Sequence, residues 1–298
     1  MNTDQTDFCF QQLHIDVARN ATDDFNLFHD PHKWHHIRNN PFAGPIVMGF
    51  QLESLVEKQI AQYRIQNNEQ TLITEHDLRF SNYQFSFANA VKAEEIVNIA
   101  IKKTQFKETE QGAVLSNRIS IKANNKLAMM GYKKESNTAQ YLAEADFSTF
   151  GDLKNLPDRH YTQAGQFFLK RKYITTSNAK NFLCGSFIDQ SLYFDELNNK
   201  TEFPEIFFCS LLSSALLEKA LKNNHDFEQN PMVYTSHKIS LDRSLLSQLK
   251  SNDALHILVR ELEDETDTYE CYGLMHDNQI LFRGLIGLTS LQSILKAK

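Results

Sequence analysis

The sequence predicts an α+β protein built from two tandem copies of one unit, each a long helix covered by an antiparallel sheet. Three observations carry this. The first is an internal similarity at a fixed shift: FAGPIVMGFQLESLVEK, from Phe42, lies over FPEIFFCSLLSSALLEK, from Phe203, 161 residues further on. The same shift sets Ala18 over Ala179, Asn20 over Asn181, Thr74 over Thr235, His76 over His237 and Ile96 over Ile257 without a gap. The second is a change of hydrophobic period within each copy, from helical to alternating. The third is a pair of turn sequences, ANNK and HDNQ, each between two β-rich runs. A repeat of this length changes the fold expectation for the whole chain.

The elements follow in order. Copy one opens with CFQQLHIDVARNA and copy two with YITTSNAKNF. Ile46, Phe50, Leu52, Leu55, Val56 and Ile60 then fall on one helical face, with Glu53, Glu57 and Lys58 off it, which predicts an amphipathic helix. Its counterpart, IFFCSLLSSALL from Ile206 to Leu217, is bounded by Glu205 and Glu218. It falls short of the roughly 20 apolar residues a membrane span needs, so it predicts a buried core helix. EIVNIAIKK, AVLSNRISIKA and KLAMMGYKK follow as strands in copy one, answered by ALHILVREL, TYECYGLMH and QILFRGLIGL. ANNK and HDNQ supply hairpin turns. A sheet buries its apolar face against a helix, and the two sheets are expected to pair edge to edge. The units are taken as 1–150 and 151–298, joined by the polar segment GDLKNLPDR acting as a linker.

Composition excludes several classes. With 298 residues, 41% hydrophobic and 23% charged, the chain can bury a large core. A net charge of -6 lacks the basic stripes that nucleic acid requires. Residues 1–20 carry acids and no apolar run, so no secretory signal is read there; with no membrane span either, the expected location is cytoplasmic. Cys9, Cys184, Cys209 and Cys271 are far apart with no CxxC spacing, so buried reduced thiols are expected rather than disulfides or zinc. No cofactor and no metal are expected.

The segment DDFNLFHDPHKWHH, residues 23–36, packs four histidines and three aspartates into fourteen positions. Three readings compete. His29, His32 and His36 have helical spacing for a metal. A solvated turn capping a helix would look the same. Asp24 and His29, five residues apart, could also form an acid–base pair. Pro31 and the polar neighbours favour exposed histidines over a metal site, and Trp34 is expected to anchor the segment.

Joined to Pro45-Ile46-Val47-Met48-Gly49, this segment resembles the MaoC-like (R)-specific enoyl-CoA hydratases and 3-hydroxyacyl dehydratases. Their motif reads Asp-x-Asn-Pro-x-His, then Pro-Ile-x-His-Gly before the central helix. Asp24, Asn26, His29, Pro45, Ile46 and Gly49 match at their spacings, and the resemblance in motif covers residues 14–60. Leu27 replaces the proline, Met48 replaces the histidine, and Asp23 stands where glycine usually precedes the aspartate. A second carboxylate at Asp23 would crowd Asp24 with like charge.

The resemblance implies a double hot-dog fold and the reversible hydration of a trans-2-enoyl thioester, of coenzyme A or of acyl carrier protein, in fatty acid metabolism. That reaction needs a base for water, an acid for the α-carbon and donors for the enolate oxygen. Asp24 and His29 would supply the first two, the imidazole because its pKa lies nearest neutrality. Gly49 would open the central helix, where a free amide and the helix dipole favour an oxyanion. Asn26, Met48 and Phe50 are expected at the substrate, with Asn26 also bracing its loop. The 161-residue shift gives Gly185, Gln190 and Ser210 for Asp24, His29 and Gly49, so one site per chain is expected. Phe207, Phe208, Leu211 and Leu212 would wall an acyl tunnel or simply pack the core. Lys170, Arg171 and Lys172 could hold a coenzyme A phosphate or the acidic face of a carrier protein, against the plainer reading of a solvated strand edge. A homodimer is possible on this pattern. A non-catalytic acyl-thioester-binding protein and a hot-dog thioesterase are the alternative functions.

Overall fold

The two halves repeat one order of elements and are joined through one sheet. The structure is a computed structural model describing residues 7–110, 112–143, 145–162, 166–265 and 267–296; residues 1–6 of the acidic opening lie outside the described residues. The first half runs strand Phe8–Cys9 (β1), helices Gln12–Thr22 (α1) and Gly49–Gln66 (α2), the single turn Leu72–Glu75 (α3), then strands Phe80–Phe87 (β2), Ile96–Ile101 (β3), Gln105–Thr109 (β4), Gly112–Ala123 (β5) and Lys126–Ser136 (β6). The second runs His160–Tyr161 (β7), Phe168–Tyr173 (β8), helix Thr176–Gly185 (α4), the small ribbon Phe194–Asp195 (β9) with Lys200–Thr201 (β10), and helices Glu205–Ser210 (α5) and Leu212–Lys222 (α6). It closes with Met232–Asp242 (β11), the turn Arg243–Leu246 (α7), Ala254–Glu261 (β12), Thr268–Leu274 (β13), Ile280–Ser290 (β14) and Leu291–Lys296 (α8).

All described strands except the β9–β10 ribbon form one twelve-stranded sheet, ordered β1-β3-β5-β6-β2-β11-β14-β13-β12-β8-β7 with β4 on β5. Its centre is the antiparallel seam of β2 and β11, from Ser86 opposite Ser236 to Phe80 opposite Asp242, so the halves do meet edge to edge. Asn124 and Asn125, at φ 45 and 66, turn β5 into β6; Asp277 and Asn278, at φ 54 and 57, turn β13 into β14. Left-handed pairs of this kind match the twist of a tight hairpin.

Helix α2 is not amphipathic in place. Phe50 through Glu57 are all buried, Glu53 and Glu57 included, because the sheet wraps one side while helices of the other half cover the rest. Copy two's core helix is buried as expected but breaks at Leu211 between α5 and α6. Helices α1 and α4 cross at Gly185, where a Cβ would stand 2.7 Å from the His14 carbonyl oxygen; only glycine allows that approach. The segment expected to be a polar linker is docked instead: Leu153 is buried in a cluster with Phe147, Phe167 and Tyr272, and the Arg171 guanidinium donates to the carbonyls of Leu153, Lys154 and Leu156.

The constant 161-residue register does not survive. α1 and α4 are followed by equivalent left-handed residues, Asp23 (φ 54) and Phe187 (φ 56). Asp24 and Ile188 then make the same amide bond back to Arg19 and Leu183. Helix α2 starts at Gly49, 26 residues after Asp23, whereas α5 starts at Glu205, only 18 after Phe187. The loop carrying the extra histidines therefore has no full counterpart in copy two. His76 caps α3 at the surface while His237 lies buried in β11, so they are not equivalent. The true counterpart of Asp24 is Ile188 rather than Gly185, and that of Gly49 is Glu205 rather than Ser210.

Candidate active site

The first half's loop is built by short polar side chains acting on their own backbone. Helix α1 ends at Asp23, whose left-handed conformation explains why a glycine position tolerates aspartate. The Asp23 carboxylate turns away from Asp24 to the Lys172 Nζ, at 2.5 Å, which relieves the like-charge crowding expected from sequence. The Asn26 amide donates to Asp24 Oδ1 at 2.8 Å, and Asn26 Oδ1 accepts from the Phe28 amide at 3.1 Å. That closes a short helical turn, Leu27–His29. Arg19 secures the far end through Asp30, at 3.1 Å.

His29 is 6% exposed and Asp24 5%. The His29 Nδ1 lies 2.7 Å from the Ile46 carbonyl oxygen. A carbonyl only accepts, so Nδ1 carries the proton and Nε2 is left as the ring's acceptor. Burial holds the imidazole below its usual pKa, against the upward pull of the Asp24 charge and the Ile46 carbonyl. The ring is thus held neutral, with its lone pair at Nε2.

Gly49 is the first residue of α2, so its amide has no carbonyl one turn below it and remains available. It shares with His29 and Asn26 the wall of a cavity of about 140 Å³, closed by Leu52, Phe87 and Tyr234. A second cavity, about 310 Å³, adjoins it and has Asn26, Phe28, Met232 and Tyr234 in common with it. Asp24 stands behind the first wall. A ring acceptor and a free amide therefore share one small cavity, while the expected catalytic carboxylate, Asp24, is buried outside the lining of both cavities.

Other expectations fare differently. Met48 and Phe50 are each 1% exposed, packed in the core and absent from the cavity walls; Phe50 stacks on His237 instead. Phe207, Phe208, Leu211 and Leu212 also line neither cavity. The second cavity is faced instead by Ser213, Leu216, Leu217 and Ala220 of α6. Lys170 pairs with Glu218 at 3.0 Å, Arg171 holds His256 and three carbonyls, and Lys172 holds Asp23, so this run is spent inside the protein rather than offered to a phosphate. Of the histidines, His36 faces Glu228 at 3.2 Å and His35 stacks edge-on against Trp34 and His36. Among the described residues no three His, Cys, Asp or Glu side chains form a metal cluster. Ile37, not Trp34, anchors the segment, buried against Phe28 and Leu291. All four cysteines are free, with Cys184 exposed rather than buried. No helix among the described residues is long and apolar enough to cross a membrane.

Sequence reading missed Phe87, Tyr234 and the Glu53–His237 pair, which surround Gly49. Phe87 comes from β2 and Tyr234 and His237 from β11, remote from Gly49 in sequence, while Glu53, one turn along α2, looks like a solvated helix face until the fold buries it.

Comparison with family models and with curated proteins returned no match. Solved structures do match. A MaoC-like dehydratase superposes at TM-score 0.59 with 8% identity, covering 96% of each chain. A putative MaoC domain protein dehydratase from Chloroflexus aurantiacus gives 0.56 at 8% identity, over 96% of this chain and 93% of that one. A conserved hypothetical protein from Mycobacterium tuberculosis, described as having a double hotdog fold, gives 0.53 at 10% identity, over 96% and 97%. At such identities the likeness is one of architecture: the chain is a double hot-dog, the fold of the MaoC-like dehydratases that its first-half motif resembles.

Proposed function

We propose that the chain is a hydro-lyase that adds water reversibly to a trans-2-enoyl thioester of coenzyme A or acyl carrier protein, using one site in the half spanning residues 1–150. The observation that carries this reading is the shared wall: His29, neutral and with Nε2 free of the Ile46 bond, faces the same cavity as the Gly49 amide at the start of α2. In the proposed reaction the thioester oxygen accepts from the Gly49 N–H. A water held by the Asp24 carboxylate and His29 Nε2 gives up a proton and its oxygen bonds to the β-carbon. The π electrons pass to the thioester as an enolate, stabilised by the amide and the helix dipole. The proton then goes to the α-carbon. The adjoining cavity offers an acyl chain an apolar side in Leu216, Leu217 and Ala220, opposite polar residues that include Lys219, Asn223 and Glu261.

In the half spanning 151–298 the matching positions are Ile188 and Glu205, and the matching helix start is blocked. The Glu57 carboxylate accepts from the Glu205 and Ile206 amides, each at 3.0 Å. This supports a single site per chain. The cytoplasm, where four unpaired thiols stay reduced, is the location that suits these carriers.

The test is purified protein with crotonyl-CoA. Loss of the conjugated thioester absorbance, with formation of 3-hydroxybutyryl-CoA and no free thiol, is the expected result. Release of free thiol would assign thioester hydrolysis instead, and binding without turnover would leave a carrier of acyl thioesters.

A further inference from the structure

Behind Gly49 lies a second imidazole and carboxylate that the mechanism above does not use. Glu53 follows Gly49 by one helical turn on α2 and points to the same side. Its Oε1 is 2.7 Å from His237 Nδ1, and both side chains are fully buried. Among the described residues neither Glu53 Oε2 nor His237 Nε2 has a hydrogen-bond partner. The ring is fixed on three sides: stacked on Phe50 at 4.5 Å, and edge-on to Tyr234 at 4.6 Å and Phe87 at 4.9 Å. Its Cε1, bonded to Nε2, lies 3.9 Å from where a Gly49 Cβ would be, and the Phe87 ring stands 3.0 Å from the same point. Phe87, Tyr234 and Gly49 all belong to the cavity wall.

Among the described residues a buried ring nitrogen and a buried carboxylate oxygen are thus left without partners, which calls for an explanation. The imidazole that carries the first of them stands beside Gly49, at the start of α2.

We propose that His237 Nε2–H is the second donor to the thioester oxygen bound at the Gly49 amide, reached when the acyl group displaces the Phe87 ring, and that Glu53 is the positioning residue that holds the imidazole. The inference rests on the acyl-thioester reading given under Proposed function. It makes the site a joint product of both halves, since β11 supplies His237 and α2 supplies Glu53 and Gly49.

The test is the thioester carbonyl band of crotonyl-CoA in infrared difference spectra, taken bound to the inactive His29→Ala protein. With two donors the band lies below its position in free crotonyl-CoA. Adding His237→Phe should move it back toward that position. The single His237→Phe variant should lose about 10²-fold in kcat with a much smaller change in KM. His237→Gln, which keeps an N–H, should recover part of the band shift, and Glu53→Gln should give an intermediate position. A band that stays put in His237→Phe, together with unchanged kcat, overturns this inference and leaves the hydro-lyase reading standing. No binding of crotonyl-CoA to either wild type or His29→Ala overturns both. Should His237→Phe not fold, His237→Leu removes the donor without an added ring, and the same two outcomes decide.

Discussion

His29 is tied to the strand segment that leads into the central helix: its Nδ1 lies 2.7 Å from the Ile46 carbonyl, while the Ile46 amide donates to the Phe28 carbonyl at 2.9 Å. This double link sets the imidazole and the helix start in one frame, three residues apart at Ile46 and Gly49. It also fixes the tautomer. The lone pair at Nε2 exists because Nδ1 is already a donor.

Asp24→Asn and His29→Ala should each lower crotonyl-CoA turnover by about 10²–10⁴-fold, the usual range for removing a general acid or base. Asn at 24 keeps an oxygen for the Asn26 amide, so its melting temperature should stay close to wild type. Turnover at the wild-type level in either variant would remove the pair from the mechanism.

The pH profile should carry the signature of a depressed imidazole. Burial holds His29 below the ordinary imidazole value of 6.5, so the acidic limb of kcat/KM should fall below that pH. The sign for stability is the same. As pH drops through 6.5 the unfolded chain takes up a proton that the native ring resists, and this contribution to stability diminishes. A limb centred above 6.5 would mean the ring is not the neutral base described here.

Glu57 offers a check on the blocked half. Burial, then the Glu205 charge, raises its carboxyl from 4.5 to about 7. Between those pH values the native state holds a proton that the unfolded chain has lost, so this contribution falls as pH rises through that window. Glu57→Gln has one acceptor oxygen for two amides, and leaving one amide unpaired should cost about 1–3 kcal/mol. In urea titrations at pH 5 and pH 7.5, the wild-type minus Glu57→Gln difference should shrink at the higher pH. That subtraction removes the opposing His29 contribution.

What could be read from sequence was local, and what could not was long-range. The Asp24–Asn26 spacing was legible because each side chain acts on backbone two positions on, whereas His29 reaches Ile46, 17 residues away, and was singled out only through the motif it resembles. The hairpins at Asn124-Asn125 and Asp277-Asn278 were legible for the same reason. The repeat was visible but its register was not, since the first half's loop is longer and chance identities such as His76 with His237 masked the slip. Glu53 and Glu57 look like the solvated face of a helix in one dimension. Only the wrap of the second half's helices makes them interior, and no pattern inside α2 reports that. Lys170 and Lys172 misled in the same way: a basic triplet on a strand looks exposed until Glu218 and Asp23 are seen beneath it.

Ala220 faces the second cavity, and its small side chain leaves room there. Ala220→Phe should spare crotonyl-CoA, whose acyl group fits the first cavity, and reduce kcat/KM for an eight-carbon enoyl thioester by about tenfold or more, the effect of losing one or two buried methylenes. Equal losses on both substrates would show that the acyl chain does not run toward α6.

Gly49 allows the amide itself to be removed. Proline at the first position of a helix loses only an N–H that has no intrahelical partner, and its fixed φ suits that position. Met48 before it is already extended, at φ -67 and ψ 139, which is the conformation a following proline demands. Gly49→Pro should therefore fold. Its added carbons will press on Phe87, whose ring stands 3.0 Å from a Cβ at this site, so Gly49→Ala is the control for crowding. If the amide holds the thioester oxygen, Gly49→Pro should lose a further 10²-fold or so in kcat beyond Gly49→Ala. Crowding alone predicts that the two variants lose activity together, because both put a carbon against the same ring and only proline deletes the donor.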